Sequence, residues 1–158
     1  MTGDLSGTTP EQRLAELGLE VPEVPKPVAS YIPAVRSGNH VFTSGQLPMR
    51  SGQLITTGKV GGEVSAEEAV ECAQQCALNA LAAIRAEVPL ESITRIVKIV
   101  VFVASTPDFT GQPGIANGAS ELVGQVFGDA GRHARSAVGV PVLPLDAPVE
   151  VEMTVEVA

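Results

Sequence analysis

The chain has 158 residues, of which 44% are hydrophobic and 18% charged, so it can bury the core of one globular domain. Its formal net charge of −8, with only 10 Lys and Arg residues and no basic run, argues against a nucleic-acid-binding surface. The sequence contains no apolar run of membrane-spanning length and no hydrophobic signal segment, which predicts a cytoplasmic protein that does not bind membranes.

We expect residues 1–28 to form a leader and residues 29–158 to form the main domain. We expect residues 1–9, which are polar, to be frayed. Pro10 suits the first turn of a short helix that ends at Gly18, because the N–H that proline lacks has no helical partner there. Three prolines within the next stretch then indicate an extended strap. The leader is therefore predicted to wrap around a single domain.

The main domain begins with two short strands joined by a turn at residues 37–39. The loop that follows contains a predicted short strand at residues 54–56. Ser65 and Glu68 have the spacing of a capping box and start a helix, whose alanine-rich apolar stripe continues to about residue 87. Small side chains along that stripe predict close packing against a sheet.

The second half of the domain predicts one long strand, one helix and two further strands. The β-branched run "ITRIVKIVVFVA" is typical of a central strand covered on both faces. A helix at about residues 114–127 follows, and the last strands are predicted at 134–140 and 149–157. The order β-β-α-β-α-β-β predicts an α+β sandwich with two helices on one face of a sheet.

The last strand alternates between apolar and acidic side chains. Valines and Met153 point to one face, and the acidic side chains point to the other. The acidic set is Glu150, Glu152 and Glu156. A solvated edge explains these glutamates most simply. A cleft floored by this strand and guarded by Arg135 is the alternative that would give them a chemical role.

Arg135 is the strongest candidate for binding an anion. Its neighbours Ala134 and Ser136 are small and leave room around the guanidinium. The planar fork of N–H donors in arginine matches the two oxygens of a carboxylate. A salt bridge to a nearby glutamate is the competing interpretation of this residue.

We expect the remaining cysteine, histidine and serine candidates to have structural roles. Cys72 and Cys76 share one helical face and are expected to be small buried hydrophobic residues. His40 and His133 have no third ligand at metal spacing. Ser44 lies outside any G-x-S-x-G motif and is expected to bond the backbone. Neither a P-loop nor a G-x-G-x-x-G motif occurs, so we predict no metal and no nucleotide cofactor.

Several motifs, taken in order, resemble one known family. They are "VFTSGQLP", the alanine-rich helix, "IVKIVVFVAS" followed by "PDF", and "ARSAV" followed by "VEVE". Together they resemble the RidA family of imine and enamine deaminases, which also carries the older label of endoribonuclease or translation inhibitor. "RLAELG" and "GRHARSAVGV" are similar to its longer subgroup. The resemblance implies a chorismate-mutase-like fold and a homotrimer, in which three sheets form a central barrel and each subunit interface holds a cleft.

The same resemblance implies an activity and a set of site residues. The activity is hydrolysis of 2-imino and 2-enamino acids to 2-keto acids and ammonia, without a cofactor or metal. Arg135 would hold the substrate carboxylate, and Glu150 would position the attacking water and stay ionised near the arginine. The implied substrate-binding residues are Tyr31, Ser44, Gly45, Asn117 and Ala137.

Two functional hypotheses follow from these residues. The first is the deaminase, and the second is a non-catalytic or regulatory module that binds small carboxylates in the same cleft. Arg135 is required by both, whereas Glu150 is required mainly for turnover. Ribonuclease activity is disfavoured, because the chain is acidic and only 3% aromatic.

Overall fold

The protein forms one main sheet with helices on a single face. The computed structural model describes residues 7–27 and 29–158. Its helices and strands are α1 (Pro10–Glu16), β1 (Ala34–Ser37), β2 (His40–Thr43), β3 (Met49–Arg50), β4 (Gln53–Leu54), α2 (Ala66–Arg85), β5 (Ile93–Ala104), α3 (Gln112–Phe127), β6 (Ala134–Val140) and β7 (Val149–Val157). Short 3-10 helices occupy Leu90–Ser92, Gly128–Gly131 and Pro144–Asp146. No helix in the described ranges is long and apolar enough to cross a membrane.

The five-stranded sheet has the order β1-β2-β7-β5-β6. Neighbouring strands are antiparallel except for β5 and β6, which are parallel and are joined through α3. The helices α2 and α3 pack against each other and cover one face of the sheet. This arrangement confirms the predicted α+β fold class, with two helices on one face.

Strand β5 corrects one expectation. It lies centrally between β7 and β6, as predicted, but only one of its faces is fully buried. Ile96, Ile99 and Val101 are buried beneath the helices, whereas Thr94 and Lys98 on the same strand are exposed. The prediction of cover on both faces was wrong for the single chain, because both helices lie on the same side.

Several predicted boundaries also shift. The strand predicted at residues 54–56 is instead the hairpin of β3 and β4, which turns at Ser51 and Gly52. The long helix α2 begins after Ser65 with the predicted capping box, but it ends two residues early at Arg85. Helix α3 begins at Gln112, where Pro113 fits its first turn.

The leader orders against its own chain. Leu14 of α1 is 1% exposed and belongs to the main core. Arg85 at the end of α2 donates to the carbonyls of Val21 and Pro22 at 3.3 and 3.1 Å, and it pairs with Glu11 at 3.6 Å. These contacts hold both the helix and the beginning of the strap.

The predicted fraying of residues 1–9 was wrong at its C-terminal end. Thr9 caps α1 through a capping box with Gln12, and Thr8 accepts a hydrogen bond from Arg13. Gly7 is an exposed turn residue, and residues 1–6 of the same prediction lie outside the described residues.

The uncovered face of the sheet is partly apolar. At one end, loop residues Leu47 and Leu143 pack with Phe102 in a second, smaller core. Elsewhere on this face, Phe42 of β2 is 43% exposed and Val138 of β6 is 44% exposed. We call this surface the open face.

The cysteine prediction is confirmed. Cys72 and Cys76 are both free and buried in α2. Burial raises the pKa of the Cys72 thiol to about 11, and it raises the pKa of Cys76 as well. Both side chains therefore pack as neutral hydrophobic groups.

The two long helices approach closely through small residues. Ala69, Ala73 and Ala77 of α2 are completely buried. A Cβ added to Gly118 of α3 would overlap the backbone carbonyl oxygen of Val70. The separation of α2 and α3 therefore depends on a hydrogen atom at position 118.

We expect Gly118→Ala to destabilise the fold by roughly 1–3 kcal/mol, because a backbone carbonyl cannot move aside as a flexible side chain could. Gly124→Ala is the matched control, since it changes the same helix where a Cβ would meet nothing within 4 Å. The control should gain about 0.5–1 kcal/mol from better helix propensity. Urea unfolding measures both values, and equal effects of the two substitutions would contradict this account of the helix contact.

Candidate functional site

Glu150 lies beside Gly45 on the open face. Strand β7 and the segment after β2 meet through Val151 and Gln46, which exchange backbone hydrogen bonds of 2.8 and 3.0 Å. This pairing brings Gly45 against Glu150, so that a Cβ at position 45 would lie 2.5 Å from Glu150 Oε2. A larger residue at position 45 would displace the carboxylate. The glycine therefore leaves room for the Glu150 carboxylate at this place.

A cavity of about 310 Å³ opens beside this pair. Tyr31, Gly45 and Glu150 line it, together with apolar side chains that include Met49. Residues 25–27 of the leader form another part of its wall. The three prolines predicted a strap, but no sequence signal indicated that the strap would border the cavity.

Tyr31 and Ser44 have different relations to the cavity. Tyr31 is 43% exposed and lies among its lining residues. The Ser44 hydroxyl donates to the carbonyl of Ile32 at 2.6 Å, and its backbone N–H donates to Pro33 at 2.8 Å. Ser44 therefore holds the segment that carries Tyr31, in agreement with the backbone-bonded serine expected from its sequence context. We call Tyr31, Gly45 and Glu150 the glutamate half-site.

In the single chain, the surroundings of Glu150 raise its pKa. Burial raises the pKa of Glu150, and the neighbouring charge of Glu152 raises it further. Arg135 was expected to lie nearby and keep Glu150 ionised. Within the described part of the chain, Glu150 forms no salt bridge.

Arg135 lies on the opposite face of the sheet from Glu150. In the sheet register, Arg135 is paired with Ile99, which is paired with Met153, and both partners are buried beneath the helices. Glu150 is paired with Phe102 on the open face. Paired residues on neighbouring strands point to the same side, so the two predicted catalytic residues face away from each other. The simple expectation of one cleft floored by β7 and guarded by Arg135 is therefore wrong for a single chain.

The Arg135 guanidinium lies against one face of α3. Its Nη1 donates to Asn117 Oδ1 at 2.8 Å and to Ser120 Oγ at 3.2 Å, and its Nη2 donates to the carbonyl of Pro113 at 3.3 Å. The spacing 113, 117 and 120 places these three acceptors along one helical stripe. Among the described residues Arg135 forms no salt bridge, so the competing interpretation of a glutamate partner is not found there.

Three of the residues that the resemblance implied, Asn117, Arg135 and Ala137, lie on this side of the sheet. Asn117 contacts Arg135 directly, and Ala137 lies two residues farther along β6 on the same face, packed against the core. Sequence analysis missed Ser120, although its distance of three residues from Asn117 was a usable signal. We call Asn117, Ser120, Arg135 and Ala137 the arginine half-site. Across residues 7–27 and 29–158, no three His, Cys, Asp or Glu side chains are grouped as metal ligands.

Comparison with known proteins identifies the family. A family model described as YjgF/chorismate mutase-like, with an endoribonuclease label, matches residues 11–157. This chain belongs to that family. The match covers nearly the whole chain and begins inside α1 of the leader.

Individual relatives agree with this assignment. Protein TCP17 of Trypanosoma cruzi is 42% identical over 145 residues, which cover 90% of this chain and 91% of that protein. A 2-iminobutanoate/2-iminopropanoate deaminase of Dermatophagoides farinae is 32% identical over 139 residues, with 87% and 93% coverage. The crystal structure of an Agrobacterium tumefaciens protein of unknown function is 44% identical, has a TM-score of 0.89, and covers 95% of this chain and 94% of that one. The YjgF/RidA family therefore includes an imine deaminase, while the two more similar proteins have names that specify no activity.

We expect Glu150→Gln to raise the melting temperature of the ligand-free protein at neutral pH. A raised pKa means that the folded state disfavours the charged carboxylate, and the neutral amide removes that penalty. The gain should vanish as pH falls below about 4.5, the ordinary glutamate pKa, because the wild-type carboxyl is then uncharged as well. Differential scanning fluorimetry across pH measures this effect.

Glu121→Gln serves as the control for that measurement, because it removes a charge from an exposed position on α3. It should leave the melting temperature nearly unchanged. A lower melting temperature for Glu150→Gln than for the wild type at neutral pH would contradict the prediction, since it would mean that the charged carboxylate stabilises the folded protein.

Proposed function

We propose that the protein hydrolyses 2-imino or 2-enamino acids to 2-keto acids and ammonia, in a cleft built from the glutamate half-site of one copy and the arginine half-site of another. The observation that carries this proposal is the division of the chemistry between two faces of the sheet. One half supplies a carboxylate beside a cavity, and the other supplies a cation held against α3. Neither half alone combines a carboxylate-binding cation with a base.

The arginine half-site has the donors that a substrate carboxylate needs. Both Nη1 hydrogens of Arg135 are used by Asn117 and Ser120, and one Nη2 hydrogen is used by Pro113. Within the described part of the chain, the Nε hydrogen and the second Nη2 hydrogen of Arg135 have no hydrogen-bond acceptor. An Nε–H and an Nη2–H form a planar edge that can bond both oxygens of a carboxylate. This edge would fix the imine carbon relative to the base.

The glutamate half-site has the group that can activate water. With the substrate carboxylate held by Arg135, ionised Glu150 accepts a proton from a water molecule whose oxygen bonds to the imine carbon. Glu150 passes that proton to the imine nitrogen, which gives a carbinolamine. As the C–N bond of the carbinolamine breaks, its hydroxyl proton moves to the nitrogen, and ammonia leaves as the 2-keto acid forms. The raised pKa of Glu150 makes it a stronger base than an ordinary carboxylate, provided that the pH is high enough to ionise it.

The open face supports association of several copies. Val35 is 48% exposed, and with Phe42 and Val138 it presents apolar area that a single chain leaves in water. Three copies with their open faces turned inward would cover this area. A heterologous interface of this kind can also bring different half-sites of neighbouring copies together.

The direct test is a competition assay with imines produced in situ by an amino-acid oxidase and trapped by semicarbazide. We expect the wild type to deplete the trapped product. Glu150→Ala should lower kcat by about 10²–10⁴-fold because the base is lost. Arg135→Ala should raise KM by roughly 10- to 100-fold because charge-assisted hydrogen bonds are lost. Arg132→Ala is the matched control, since it removes an exposed arginine three residues away.

The alternative function has a distinct outcome in the same experiment. If the wild type hydrolyses no imine while small carboxylates still raise its melting temperature through Arg135, the protein is a binding module. The deaminase proposal then fails.

A mixing experiment tests whether the cleft lies between copies. Arg135→Ala and Glu150→Ala proteins should each be inactive, but subunits exchanged between them should regain activity. If each cleft takes the two groups from different copies, random assembly of an equal mixture restores about one quarter of the sites, because each partner is intact half of the time. A cleft within one copy predicts no recovery, and that result would overturn the shared site.

A further inference from the structure

A second layer of polar contacts lies behind Arg135. His133 precedes β6, and its Nε2 lies 2.9 Å from Ser120 Oγ. Its Nδ1 lies 2.6 Å from the carbonyl oxygen of Gly131. Both His133 and Ser120 are half-buried. Ser120 thus connects the imidazole to the guanidinium of Arg135.

The directions of these hydrogen bonds follow from the acceptors. The Gly131 carbonyl can only accept, so we assign the ring proton to Nδ1. In the neutral ring Nε2 is then an acceptor, and the Ser120 hydroxyl donates its hydrogen to it. A lone pair of Ser120 Oγ therefore remains directed at Arg135 Nη1. The bonds run in one direction from Arg135 through Ser120 and His133 to Gly131.

This series of hydrogen bonds constrains the Ser120 hydroxyl, which would otherwise rotate. A serine within a helix commonly donates to a carbonyl of the preceding turn, which changes where its lone pairs point. The imidazole supplies a fixed acceptor outside the helix, and the backbone of Gly131 fixes the imidazole. Bonds that share one direction also polarise and strengthen one another.

The bonds from Asn117 and Ser120 orient the edge of the Arg135 guanidinium that would meet a ligand. Asn117 is exposed and is held to Arg135 by one hydrogen bond, so it constrains only one Nη1 hydrogen. Ser120 takes the other Nη1 hydrogen, and together the two acceptors set the plane of the guanidinium. That plane determines where the Nε and second Nη2 hydrogens point.

We propose that Ser120 and His133 are positioning residues, which hold the Arg135 guanidinium in the orientation that receives the carboxylate of the substrate. The inference rests on the proposed function, because it assigns Arg135 to the carboxylate. It adds two residues that act through Arg135 without touching the substrate.

The test measures two quantities on the full-length protein: steady-state imine hydrolysis, and the Kd of pyruvate by calorimetry. Ser120→Ala and His133→Leu should each raise KM and the pyruvate Kd about threefold to tenfold, the range for losing one hydrogen bond. The value of kcat should stay within about twofold, because the base on the other half-site is unchanged. The double variant should lose no more than either single variant, since both act through one line of bonds.

Conservative variants separate positioning from simple loss of stability. Ser120→Thr keeps the hydroxyl, and His133→Gln keeps an acceptor near the position of Nε2, so both should restore KM and Kd toward the wild-type values. Unchanged KM and Kd in Ser120→Ala and His133→Leu would overturn the inference. Equal losses in the conservative and the disruptive variants would overturn it as well.

Arg135→Ala distinguishes this failure from failure of the proposed function. If Arg135→Ala abolishes pyruvate binding while Ser120→Ala and His133→Leu change nothing, only the positioning inference is wrong. If the wild type binds pyruvate through Arg135 but hydrolyses no imine, the deaminase proposal fails and the Kd series still decides the inference. If Arg135→Ala binds pyruvate as well as the wild type does, both proposals fail.

Discussion

The register across β6, β5 and β7 is the constraint on which the rest of the site depends. Side chains alternate along each strand, so a pairing that aligns Arg135 with Ile99 and Glu150 with Phe102 sends the two groups to opposite faces. Shifting either pairing by one residue would exchange core and surface along a whole strand. The buried β-branched side chains of β5 therefore fix the direction of both polar groups at the same time.

This constraint explains why a single chain has two partial sites. The helices cover the face that receives Arg135, and α3 supplies its three acceptors. The other face receives Glu150, where the loop at Gly45 and the strap of the leader build a cavity. In the proposed function, this cation and this base act together only when copies associate, and the exposed apolar side chains of the open face support that proposal.

The site also shows a balance between stability and chemistry. Burial beside Glu152 raises the pKa of Glu150, so the fold is less stable with that carboxylate charged than with a neutral group there. The same burial makes the group a better base. On the other half-site, three acceptors of α3 satisfy hydrogens of the Arg135 guanidinium.

Sequence analysis predicted features that depend on residues close in sequence, and it missed contacts between segments that are distant in sequence. Capping of α2 by Ser65, the long β5 run, the buried cysteines and the alternation of β7 depend on residues close in sequence, and each was predicted from local patterns. The resemblance implied Asn117 as a substrate-binding residue but not its contact with Arg135. That contact, the missed Ser120 and the strap beside the cavity all involve segments that are distant in sequence. By itself the sequence determined the main helices and strands, their order along the chain and the alternation of β7. Only the tertiary structure decided that Arg135 and Glu150 face apart, because the face of a strand depends on its register with neighbours that are far away along the chain.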